Sequence, residues 1–205
     1  MKEATEKIRI PEAVNGSLHF LKNRLARSEK PLIIGKDISW QHIVKRTLRF
    51  LIWCSVWKEE GATIYLTFKN RDVVRKTPVL ELILQENPFL RRAPEDIDFG
   101  EHTVNFCFRN KKEEDIFKKV IKELNLPSKE SVIWFCLLMA AKMIKWEGLE
   151  RRRFYVLKRH RDGCIDGGLL FGVVPVEDKI VRENFTDETY ARYKLRQTYP
   201  LSAKK

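Results

Sequence analysis

Apolar residues along this chain recur now at helical spacing and now in alternation, and the changeovers outline the elements. Val14, Leu18, Leu21 and Leu25 predict a helix from Pro11 to Ser28, with Pro11 suited to its first turn. A turn around Glu29-Lys-Pro31 and a short apolar stretch, Leu32-Ile-Ile34, precede a second helix. Asp37 or Ser39 caps it, and it runs to about Lys58. Thr63 to Lys69 alternates as a strand. Thr77-Pro78 fits either an N-cap with a first-turn proline, opening a helix from Val79 to Gln85, or the start of a strand.

Asn87 to Gly100, rich in Pro, Asp and Arg, reads as a loop. His102 to Arg109 alternates as a strand, with Val104, Phe106 and Phe108 on one face and Thr103, Asn105 and Cys107 on the other. Lys111 to Leu124 is an amphipathic helix through Ile116, Phe117, Val120, Ile121 and Leu124. Ser128 caps a helix from Val132 to Trp146 that is apolar almost all round, which predicts burial on every side. Phe154 to Leu157 forms a strand, Gly163 to Gly168 a turn, and Leu169 to Val176 its hairpin partner. A last helix is expected from Thr186 to about Tyr193, and 191–205 is a basic tail.

This order predicts an α+β fold, with buried central helices packed on a mainly antiparallel sheet that presents a basic face. A length of 205 residues fits one compact domain, 1–205. Two stretches share their landmarks and mark repeat halves at 32–100 and 101–190. Ser39 to Trp57 is followed by Glu60-Gly61, a strand and Arg71-Asp72; Ser128 to Trp146 is followed by Glu147-Gly148, a strand and Arg161-Asp162. Tyr65 stands as far before Asp72 as Tyr155 stands before Asp162.

Charge changes the picture most. Lys and Arg total 40 against 28 Asp and Glu, a formal net charge of +12 and a sequence pI near 9.6. That balance points to nucleic acid or another polyanion as partner. The excess is concentrated at Arg151, Arg152, Arg153, Lys158, Arg159, His160 and Arg161, around the aromatic strand that carries Tyr155. Cationic strand ends would contact phosphates, and an outward Tyr155 would stack on a base. On the second helix, His42, Lys45, Arg46 and Arg49 fall at i, i+3, i+4 and i+7, one basic stripe that phosphates would neutralise. Arg71 extends the same track.

The layout resembles the LAGLIDADG homing endonucleases, carried by Cys54-Ser-Val-Trp-Lys-Glu-Glu60-Gly61 and Ala141-Lys-Met-Ile-Lys-Trp-Glu147-Gly148. In that family two helices each end in an acidic residue and glycine, and each leads into a DNA-contacting strand. The resemblance implies Glu60 and Glu147 as catalytic, metal-binding carboxylates that hold Mg²⁺ against a phosphodiester and activate water. A second likeness, to ribbon-helix-helix DNA binders, rests on Thr103-Val-Asn-Phe-Cys-Phe-Arg109, the helix after it, Asn125-Leu-Pro-Ser128 and the apolar helix that follows. It implies that Thr103, Asn105 and Cys107 face outward.

Other chemistry is thinner. Cys54, Cys107, Cys136 and Cys164 form no C-x-x-C pair, and His19, His42, His102 and His160 form no H-x-x-x-H. Three cysteines read as small core residues in a reducing cytosol, with Cys164 in a turn. The first residues lack the apolar stretch of a secretion signal, and the run Val132 to Ile144 is too short to span a bilayer. The expected function is therefore DNA or RNA binding, within a nucleoprotein complex with other subunits, in the cytoplasm or nucleoid, with no membrane and no cofactor. The alternatives are a Mg²⁺-dependent endonuclease using Glu60 and Glu147, and an interaction subunit with an acidic protein partner.

Overall fold

The computed structural model describes residues 5–26, 33–34, 37–67, 74–107, 111–150, 152–159 and 165–170. Within them the fold is α+β, and every strand pairing is antiparallel. The chain forms two compact units, one of Met1–Leu48 with Ile83–Met143, the other of Arg49–Leu82 with Ile144–Lys205. Each unit therefore draws on two separate stretches of the sequence.

In the first unit, β1 (Thr5–Pro11) pairs with β6 (Phe99–Cys107), Ile8 opposite Val104 and Lys7 opposite Asn105. Ile8, Ile10, Val104 and Phe106 are buried on one side of this ribbon, while Lys7, Arg9, Thr103 and Asn105 are exposed on the other. That is the expected period of two. α1 (Glu12–Ala26) buries Val14, Leu18 and Leu21. The short pair β2 (Ile33–Ile34) and β3 (Asp37–Ile38) precedes α2 (Trp40–Glu59), whose first half buries Ile43, Val44 and Leu48. α4 (Lys111–Leu124) lays Phe117 against Phe106, with ring centroids 5.4 Å apart.

α5 (Lys129–Ile144) is buried at every position from Ser131 to Ala141, as its uniform apolarity dictates. Its start is built by sequence. Asn125 takes φ 51° and the Leu126 N–H donates to the Ile121 carbonyl at 3.0 Å, which ends α4 with a left-handed cap. The Ser128 hydroxyl then accepts from the Ser131 N–H at 3.3 Å, the N-cap bond expected of that serine. From α5, the Trp134 Nε1–H donates to the Arg9 carbonyl at 3.0 Å, and its ring meets Phe99 edge-on at 5.8 Å.

The second unit holds a four-stranded sheet in the order β5-β4-β7-β8, with β4 Ala62–Thr67, β5 Val74–Pro78, β7 Phe154–Arg159 and β8 Ile165–Leu170. Ala62, Ile64, Leu66, Phe154 and Val156 are buried on one face. The second half of α2 contributes Phe50, Trp53, Val56 and Trp57 to the buried set, with Trp53 and Trp57 stacked at 6.3 Å. α3 (Val79–Glu86) follows β5 directly, so Thr77-Pro78 closes a strand and opens a helix at once. The last turn after α5 widens into a π-helix, Lys145–Leu149, closed by the Glu150 N–H on the Lys145 carbonyl at 2.9 Å. Trp146 in that turn packs edge-on against Phe154 at 6.3 Å.

Several expectations change. Pro11 ends β1 rather than starting α1, because the first strand pairs with a segment about 95 residues away that local periodicity does not reveal. Gly167 and Gly168 lie inside β8, opposite Leu157 and Val156, rather than in a turn, since glycines leave no alternation to read. Asn87 to Gly100 contains two short 3-10 turns and the start of β6. Cys107 is buried rather than outward-facing. The helix expected at 186–193, the tail 191–205 and Cys164 lie outside the described residues.

Candidate nucleic-acid interface

The arginine-rich strand is β7, and its pleat divides the cations between two faces. Phe154 and Val156 are buried, so Lys158 shares the core-side parity and is half-buried at its end. Tyr155 and Leu157 are half-exposed on the opposite face, and Arg159 is exposed there. Arg153 stands one residue before the strand and continues its register. Its carbonyl accepts from the Thr67 N–H at 2.9 Å, and its own N–H donates to the Thr67 hydroxyl at 2.9 Å. Arg153 is exposed, so alternation sets Arg153, Tyr155, Leu157 and Arg159 on one face.

Arg152 has a different role. Only 17% of its side chain is exposed, and its Nε lies 2.6 Å from Glu150 Oε2. The N–H is not aimed along that line, so the contact is an ion pair by proximity rather than a well-directed hydrogen bond. Lys145 Nζ approaches the other Glu150 oxygen at 3.9 Å. The backbone N–H of Arg152 donates to the Trp146 carbonyl at 2.8 Å. Arg152 thus fastens the π-turn to the start of β7, with its charge balanced locally.

The neighbour of β7 supplies a residue absent from the sequence-derived set. β4 pairs with β7 so that Tyr65 stands directly opposite Tyr155. Hydrogen bonds join the pairs 67/153 and 61/159, and by parity 65/155 belongs to the same class, with side chains on a common face about 5 Å apart at Cβ. Tyr65 is half-exposed, as Tyr155 is. In the sequence each of these tyrosines stands seven residues before an aspartate, Asp72 and Asp162, and the sheet sets the two tyrosines opposite one another.

The remaining candidates stand elsewhere. His42 on α2 is exposed, while Lys45, Arg46 and Arg49 are half-buried. The Lys45 ammonium lies 5.9 Å from the centroid of the Phe106 ring. Glu60 is exposed at the end of α2, just before Gly61. Glu147 lies in the π-turn, and its side chain is outside the described set. Among the described residues no group of three or more His, Cys, Asp or Glu side chains is placed to hold a metal ion. Arg71, Arg151, His160 and Arg161 lie outside the described residues.

Cys54, Cys107 and Cys136 are not joined in disulfides, and burial pushes the Cys136 thiol well above its ordinary pKa. No helix among the described residues is long and apolar enough to cross a membrane. The chain matches no family model, curated protein or solved structure with which it was compared.

Proposed function

We propose that the protein binds nucleic acid through the half-exposed face of the four-stranded sheet, as a component of a nucleoprotein assembly. One observation carries this reading: Arg153 and Arg159 are exposed on the face that presents Tyr155, six positions apart along one strand. At about 3.3 Å per residue the two guanidinium-bearing positions are roughly 20 Å apart, a span of about three nucleotides of an extended strand lying along β7. The formal net charge of +12 supplies the long-range attraction that such a surface needs. Arg152, neutralised by Glu150, supports the strand and does not touch the ligand.

Fluorescence-anisotropy titration of labelled oligonucleotides across about 50 to 200 mM salt tests this reading directly. Binding is expected to weaken linearly on a log–log scale, because each neutralised phosphate releases counterions. Affinity that ignores salt, or no binding to any oligonucleotide, would remove the proposal.

A further inference from the structure

We infer that the ligand of this face is single-stranded nucleic acid, held by stacking of neighbouring bases on Tyr65 and Tyr155; this rests on the nucleic-acid reading above. The two tyrosines occupy the central strands β4 and β7, directly opposite in register. Across the sheet their row continues to Pro78 on β5 and to the Leu169 position on β8, so the row carries no charged residue. In the next row Leu157 is half-exposed, and the position opposite it is Gly167, which brings no side chain to that part of the sheet. Along β7 the two cations of this face stand at its ends. Arg153 is two residues from Tyr155 and Arg159 four, about 7 and 13 Å along the strand.

An uncharged aromatic row between two arginines discriminates between nucleic-acid forms. In a duplex the π-faces of the bases are covered by their neighbours, and only groove edges and phosphates are presented. Two side-by-side rings offer a duplex little beyond the arginines. A single strand can turn unstacked bases onto the rings while its phosphates reach the flanking guanidinium groups. Stacking accepts any base, so the expected preference is for strandedness rather than sequence.

The test uses the full chain and four probes of equal length: a single-stranded DNA, the matching RNA, the DNA duplex, and a single strand with its central bases removed. The unaltered protein is expected to bind the single strands more tightly than the duplex. Removing both central bases should cost about 25-fold or more, since each stacked base contributes about 5- to 150-fold. Y65A and Y155A should each lose affinity in that range for the intact strand and little for the abasic one, whereas Y65F and Y155F should keep it. Duplex bound as tightly as single strand, or abasic strand bound as tightly as intact strand, would overturn the inference while leaving salt-dependent binding in place. Absence of salt-dependent binding to all four probes would overturn the parent reading as well. The abasic arm needs no substitution, so the outcome does not depend on a variant folding.

Discussion

A Cβ built on Gly61 would stand 2.8 Å from the carbonyl oxygen of Arg159. Gly61 has φ +76°, receives the end of α2 through its N–H on the Lys58 carbonyl at 3.0 Å, and accepts from the Arg159 N–H at 2.9 Å. One residue thus ends the helix, starts β4 and fixes the distal end of the arginine strand. Gly61→Ala combines left-handed strain with a backbone clash, and is expected to cost about 2 kcal/mol or more. Urea denaturation measures it. A loss under about 0.5 kcal/mol would mean that the chain reroutes here without strain.

Trp134 ties the buried helix α5 to the first strand through one hydrogen bond to the Arg9 carbonyl. Trp134→Phe keeps most of the ring and deletes the donor, so a loss of about 1–2 kcal/mol is expected in the same denaturation experiment. Hydrogen exchange in β1 should speed up more than exchange in β4, which belongs to the other unit.

Glu150 balances Arg152, and the two side chains are 23% and 17% exposed. Glu150→Ala leaves a mostly buried guanidinium without that partner. Solvent screening limits the expected loss to about 1–2 kcal/mol. The double variant E150A/R152A should lose less than the sum of the single losses, and a thermodynamic cycle measures the coupling. Strict additivity would mean that the ion pair contributes nothing to the turn.

Cys136 is fully buried, and the raised thiol pKa leaves almost no thiolate at neutral pH. Alkylation of the native protein at pH 7–8 should spare Cys136 and label it only after denaturation, with half-buried Cys54 labelled sooner. Peptide mass spectrometry reads the order. Modification of Cys136 as fast as Cys54 would show that α5 opens readily.

Much of the fold was legible because long elements carry strong periods. α4 runs Lys111–Leu124 as its amphipathic stripe predicts, and α5 is buried because no face of it is polar. What escaped depended on distant partners. The strand at Thr5–Pro11 exists through β6, and β8 includes two glycines that no pattern marks as strand. The site shows the same division. The cations around 151–161 form one cluster in sequence, but the pleat separates Arg153 and Arg159 from Lys158, and Glu150 takes Arg152 out of reach. Alternation around Phe154 and Val156 carried that information. The pairing of Tyr65 with Tyr155 did not follow from either strand alone, since register is a property of the sheet.

The central claim is that Arg153 and Arg159, and not Arg152, meet the phosphates. The most direct measurement is the salt slope of single-strand binding for R153A/R159A beside R152A, each first shown to be folded by circular dichroism. The double variant is expected to bind more weakly and to flatten the slope by about 1.4, roughly 0.7 for each phosphate that is no longer neutralised, while R152A keeps the original slope. An unchanged slope in R153A/R159A, or an equal flattening in R152A, would contradict the account.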